Sequence, residues 1–262
     1  MSTRTDLALR AVAAIRYATP LREGGSLPGL VEADDDGLYV VKFRGAGQGL
    51  RALVAEVIVG ELARRLGLLV PDLVTVEIDP VLGAAEPDPE IQDLITASAG
   101  TNLGVDFLPG ALPYTPAGPY TPDSLLAAGI VWLDAFTTNV DRTPRNPNLL
   151  IWHDRLWLID HGAALYLHHG GLDPLEHVDK PFPLIHDHVL LPHAGSILEA
   201  HERLAPAVDA GALDEAVALV PPDWLTSGGG DTGEIYVDYL SRRLRSGSFA
   251  AEAEAERARA GT

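Results

Sequence analysis

Between residues 109 and 123 the chain reads PGALPYTPAGPYTPD, and its five prolines forbid both a continuous helix and an interior strand there. A fold has to be assembled from what lies on either side, and the two sides differ in pattern. Upstream, short apolar runs are bounded by turn residues. LVEA, the acidic turn Asp34-Asp35-Asp36-Gly37 and LYVVKFR at 38–44 read as a β-hairpin. LVPDLVTVEID at 69–79 reads as a loop into a strand, and DLITASA at 93–99 and NLGVDFL at 102–108 are strand candidates. Residues 12–21 suit helix or strand, and the Pro/Asp/Glu-rich stretch 80–92 looks like a surface insertion. One helix interrupts this half: residues 50–66 are apolar at 50, 53, 54, 57, 58, 62 and 66, and Gly67 supplies the stop.

Downstream, SLLAAGIVWLDAFTTN (124–139) is a buried helix, LLIWHDRLWLID (149–160) is a hairpin, and helical patterns dominate from about 185 to 243. The order predicts an α+β plan, with a sheet-rich first lobe (1–110) and a mainly helical second lobe (111–245) in one domain spanning 1–262. Residues 246–262 are rich in Ala, Glu and Arg without a sizeable apolar stripe, which predicts a frayed or disordered tail outside the core.

Composition narrows the function classes. The chain has 262 residues, near the upper size for one hydrophobic core, and its 47% hydrophobic content is ample to build it. No apolar run reaches the 18 residues of a membrane span, and Arg10 and Arg16 interrupt the N-terminal apolar stretch, so neither a span nor a signal peptide is expected and the expected location is cytoplasmic. The absence of cysteine excludes disulfides, thiolate metal sites and a cysteine nucleophile. A net charge of −18 repels phosphate backbones and anionic lipid, so no nucleic-acid or membrane partner is expected.

The chemistry concentrates in NVDRTPRNPNLLIWHDRLWLIDHG, residues 139–162. Asp141, Asn146 and Asn148 share a polar loop, and the hairpin that follows returns the chain so that Asp160 lies beside that loop. A three-residue connection would set Asn148 opposite Asp160, and a two-residue connection would set Pro147 there. One carboxylate and an amide oxygen in a loop, with a second carboxylate across a hairpin, form a hard-oxygen site suited to Mg²⁺ and phosphate oxygens. The other carboxylate is free to orient or deprotonate a hydroxyl, the arrangement used for phosphoryl transfer.

The cations add to this. Of 19 cationic side chains, 17 are arginine and only Lys42 and Lys180 are lysine. Lys42 interrupts an otherwise apolar strand, where an ammonium needs an anion. It is expected to hold ATP phosphates, with Glu56 on the following helix as its partner; Glu61 has Arg64 and Arg65 close by and reads as solvated. Gly24-Gly25-Ser26, between two presumed strands, can bring backbone amides against phosphates.

In this order the motifs resemble the HipA-like kinases, within the wider group related to phosphatidylinositol kinases. Asp141-Arg142-x-x-x-Asn146 is similar to the family's Asp-x-x-x-x-Asn catalytic loop, and Ile159-Asp160-His161-Gly162 resembles its metal-binding Asp-Phe-Gly type motif with His for Phe. AEVIVGELARRLGLLVPD (55–72) is similar to the family helix that opens with Asn-Glu and runs into Leu-Gly-x-x-Val-Pro, with Ala55 replacing the Asn and Glu56 on the Glu. The resemblance implies a two-lobed protein-kinase-like fold and an ATP- and Mg²⁺-dependent phosphotransferase acting on a hydroxyl of a protein Ser/Thr or a small molecule. It implies Asp141 at the acceptor, Asn146 or Asn148 with Asp160 on the metal, and Lys42, Glu56 and the Gly24–Ser26 loop at the nucleotide. A nucleotide-binding pseudokinase is the alternative. A second alternative, a histidine-metal hydrolase, follows from His186-x-His188, since eight of nine histidines lie at 153–193; ordinary polar loop histidines are favoured over it.

Overall fold

The computed structural model describes residues 7–20, 28–47, 49–169, 173–227 and 232–260. Five strands, β1 (Arg10–Pro20), β2 (Gly29–Ala33), β3 (Leu38–Lys42), β4 (Leu73–Ile78) and β5 (Gly100–Asp106), close into a barrel in the order β1-β2-β3-β5-β4. Of the ambiguous residues 12–21, those up to Pro20 fall on β1, which pairs antiparallel with β2 and parallel with β4 and so closes the ring. The side-chain alternation of β3 decides what comes later: Tyr39 and Val41 are buried in the barrel, so Val40 and Lys42 point to the other face. Opposite Val41 stands Gly104, where a Cβ would lie 2.5 Å from Val76 and 2.7 Å from Val74. Only glycine fits there without pushing the strands apart.

Helix α1 (Gly49–Arg65) follows β3 and is buried along almost its whole length, Glu56 included. Of the segment 93–99, expected as a strand, residues 93–97 belong instead to helix α2 (Pro89–Ala97). Its start was written in the presumed insertion: Asp88 accepts the amide of Glu90 as N-cap, and Pro89 occupies the first turn. Ile91 and Ile95, one helical turn apart, then pack on the barrel.

After the proline-rich segment come β6 (Leu112–Pro113) and α3 (Ser124–Thr137). Asp123 caps α3 by accepting the amide of Leu126 at 2.8 Å, and every residue from Ala127 to Thr137 is buried. The hairpin β7 (Leu149–Trp152) and β8 (Arg155–Leu158) joins β6 in a second, three-stranded sheet. Its connection is two residues, His153 and Asp154, at φ 47° and 56°. Both left-handed values match the tight turn whose twist suits a hairpin. Pairing Leu149 with Leu158 puts Pro147, not Asn148, in register with Asp160. The rest is helical: α4 (Tyr166–His169), α5 (Ile197–Leu204), α6 (Ala210–Ala218), α7 (Pro222–Ser227), α8 (Gly233–Ser246) and α9 (Ser248–Ala260), with short 3-10 turns between.

Helix α9 corrects the expectation of a frayed or disordered tail. Phe249, Ala250 and Ala253 are buried against α3 and α5, so small residues let the helix approach closely where no apolar stripe was visible. Its acids are structural as well, since Glu252 accepts the amide of Phe182 at 2.7 Å and Glu254 that of Ile197, the first residue of α5, at 2.6 Å.

On α4 the buried His168 ring stacks on Tyr236 with centroids 4.3 Å apart. Burial, with the nearby His169 and Arg51, pushes its pKa down to about 4. A histidine depressed in the folded state stabilises above its unfolded pKa of about 6.5, and that contribution is lost as pH falls toward 4. His168→Phe keeps the stack and removes the titration. Denaturant melts at pH 7 and pH 5 are expected to show the variant losing about 2 kcal/mol less than wild type between them; parallel losses would refute this.

Candidate active site

The turn from β3 into α1 sets Lys42 and Glu56 face to face. Glu56 lies on the buried side of α1, and Lys42 on the strand face turned away from the barrel interior. Lys42 Nζ contacts Glu56 Oε1 directly and Asp160 Oδ1 at 2.7 Å. Glu56 Oε1 also accepts the amide of Gly162 at 2.7 Å, so one buried carboxylate ties the strand lysine to the segment that carries Asp160. Burial works against the ammonium of Lys42, but Glu56 and Asp160 more than offset it and raise its pKa. Burial alone would likewise push the Asp160 carboxyl up; the Lys42 charge instead brings it down to about 2.

The polar loop provides the other half. Asp141 Oδ2 accepts hydrogen bonds from Asn146 Nδ2 at 2.8 Å and Asn148 Nδ2 at 3.3 Å. These bonds fix the NH₂ end of both amides on Asp141 and leave both oxygens as acceptors. Asn148 (φ 51°) and Asp160 (φ 57°) each hold the left-handed conformation, uncommon for non-glycine residues and frequent where a side chain must be aimed. Lys42, Glu56, Asp141, Asn146, Asn148 and Asp160 line one cavity of about 790 Å³. Val40, Val105, Leu108, Leu158 and Ile159 form apolar walls in it. A cavity with apolar walls at one part and a lysine, three carboxylates and two amides at another can take a nucleotide with a hard divalent cation. Gly24, Gly25 and Ser26 lie outside the described residues.

Sequence reasoning missed a buried network beneath the site. Asp134, fully buried in α3, receives Arg142 Nε at 2.5 Å and His188 Nε2 at 2.8 Å on one oxygen and Asn139 Nδ2 at 3.0 Å on the other. Against its burial, Arg142 and His188 hold Asp134 well below the usual carboxylate range. His161, between Asp160 and Gly162, meets Arg142 Nη2 at 3.2 Å; burial and then that positive charge push its pKa down to about 3. The signal was present, since a lone aspartate inside IVWLDAF needs a partner.

The histidine pair does not form a metal site. His188 is committed to Asp134, while His186 is exposed and packs its Nδ1 against the carbonyl of Pro183. Among the described residues no three His, Asp or Glu side chains are placed to hold a metal ion. The histidine-metal hydrolase therefore has no ligand set there.

The profile of the HipA-like kinase family matches residues 15–248. The chain belongs to that family. Among solved structures it is similar to the Helicobacter pylori proinflammatory kinase CtkA, with a TM-score of 0.55 over 95% of this chain and 99% of that one at 12% identity. A Golgi casein kinase aligns with a TM-score of 0.49 over 94% of this chain and 72% of its own at 14% identity. At such identities the likeness to CtkA shows the fold alone, α+β and protein-kinase-like. No curated protein matches the sequence. No helix among the described residues is long and apolar enough to cross a membrane.

Proposed function

We propose that the chain is an ATP- and Mg²⁺-dependent phosphotransferase that phosphorylates a hydroxyl, a protein serine or threonine being the first class to assay. The observation that carries this reading is the placement of Lys42 between Glu56 and Asp160 in the same cavity as Asp141 and its two asparagines. Asp160, with Asn146 or Asn148, would hold Mg²⁺, which supplies charge neutralisation at the transferred phosphoryl group. Lys42, kept cationic by Glu56, holds phosphate oxygens. Asp141 accepts the hydroxyl of the acceptor in hydrogen bonding and aims it. Asn146 and Asn148, donating to the Asp141 oxygen, restrain the carboxylate in one orientation. The Gly24–Ser26 loop is proposed as the cover over the phosphates.

Calorimetry of the purified chain with ATP, with and without Mg²⁺, tests the reading. Binding that requires or is strengthened by Mg²⁺ is expected. Absence of binding for any purine triphosphate at millimolar concentration would remove it, and Mg-ATP binding with no transfer to any acceptor or to the chain itself would favour the pseudokinase.

A further inference from the structure

We infer that Arg142, gripped by Asp134 and braced through it by His188, is a positioning residue that fixes the Asp160 carboxylate relative to Asp141. The inference rests on the proposed kinase reading of the site.

Arg142 follows Asp141 directly, yet its side chain runs away from the cavity and is fully buried. Its Nη1 donates to the carbonyl of Asn148 at 2.5 Å and to that of Ile159 at 3.3 Å. Its Nη2 meets Nδ1 of His161. One guanidinium thus reaches the carbonyl of one left-handed residue, Asn148, and both chain neighbours of the other, Asp160. Asn and Asp tolerate this conformation better than other non-glycine residues, and an external hold selects it over the alternatives. The fork of Arg142 supplies that hold to both at once, with fixed angles between its donors that a lysine cannot reproduce.

The fork is itself aimed from below. Nε of Arg142 ends on Asp134 Oδ2, and Asn139, bonded to the other oxygen of Asp134, accepts the amide of Asp141 at 3.1 Å. His188 completes the grip in a defined state. Its Nδ1 accepts the amide of Leu190 at 3.1 Å, so the proton sits on Nε2 and is donated to Asp134. The amide of Val189 donates to the carbonyl of Arg142 at 3.0 Å, bringing the chain beyond Gly162 back onto the Asp141 loop. A buried ion pair is a weak device for stability, and replacing one by apolar residues is often neutral. Here both terminal nitrogens of the cation end on Asn148 or on a chain neighbour of Asp160, which is what geometric control requires.

The test uses the full chain, a non-hydrolysable ATP analogue and Mn²⁺ as probe, with free Mn²⁺ read by electron paramagnetic resonance and folded fraction by thermal melting. Wild type, Arg142→Lys, His188→Gln and His188→Leu are compared. Arg142→Lys keeps the charge but not the fork, and Mn²⁺ affinity in the analogue complex is expected to weaken by about tenfold or more, the scale found for outer partners of metal ligands. His188→Gln can still donate to Asp134 and is expected to stay near wild type, whereas His188→Leu weakens Mn²⁺ as Arg142→Lys does. Equal Mn²⁺ affinity in folded Arg142→Lys and wild type would overturn the inference, as would losses that only track the folded fraction. If Arg142→Lys does not fold, the contrast between His188→Gln and His188→Leu decides, and equal affinity in those two overturns it. A wild type that binds neither probe removes the kinase reading and this inference together; a wild type that binds both while the variants match it removes this inference alone.

Discussion

Asp141→Asn is expected to bind Mg-ATP about as the wild type does while phosphoryl transfer falls by roughly 10²–10⁴-fold, the range for losing a group that manages the acceptor proton. Asp160→Asn is expected to lose Mg-ATP binding and transfer together, because the site gives up a negative charge meant for the cation. The contrast follows from where each carboxylate stands. Asp160 is bonded to Lys42, the residue proposed to hold phosphate, and Asp141 is bonded to the two asparagines of its own loop. The measurements are an ATP titration with Mg²⁺, a transfer or autophosphorylation assay, and a melt to normalise for folded protein. Equal loss of ATP binding in both variants would refute the role given to Asp141, and full activity in either would remove that residue from the site. If both carboxylates serve only the fold, both variants lower stability and keep activity in proportion to folded protein.

Phe249→Ala is expected to destabilise the chain by about 3–5 kcal/mol, the scale for emptying a buried phenylalanine site. The ring lies 5.6 Å from Trp132 and 5.3 Å from Phe136, centroid to centroid, so its loss opens the packing of α3, the helix that carries Asp134. At roughly 2–4 °C per kcal/mol for a chain approaching this size, the melting temperature should fall by roughly 6–20 °C. Truncation before Ser248 should lower it further, because it also removes the acceptors that Glu252 and Glu254 provide to two backbone amides. A change below about 2 °C in both variants would show that α9 is not docked in solution.

What the sequence made legible depends on how local the signal is. The hairpin with Asp160 at its end could be read because two short apolar runs about a polar pair and a return of the chain are consequences of neighbouring residues. Lys42 stood out for a compositional reason, as one of only two lysines among 19 cations. Helix α2 was misread because the β-branched residues of DLITASA outweighed the cap at Asp88. The length of the turn at His153–Asp154 was hidden because neither residue is the glycine that usually marks two successive left-handed positions. Asp134 was in plain view inside an apolar helix, but its partners Arg142 and His188 are 8 and 54 residues away, and only the folded chain brings them together. Helix α9 docks through one phenylalanine and two alanines, Phe249, Ala250 and Ala253, and the burial of alanines leaves almost no pattern in hydropathy.

The bond between Lys42 and Asp160 has a thermodynamic corollary. Each group presently neutralises the other in the wall of the cavity. Under the proposed reading, a phosphate accepted by Lys42 draws it from Asp160, and a cation accepted by Asp160 draws it from Lys42. A phosphate alone leaves Asp160 without its counter-charge and a cation alone leaves Lys42 with Glu56 only, whereas the two together replace both partners in a single exchange. Nucleotide and cation binding are therefore expected to be positively cooperative, and by reciprocity each should tighten the other by the same factor.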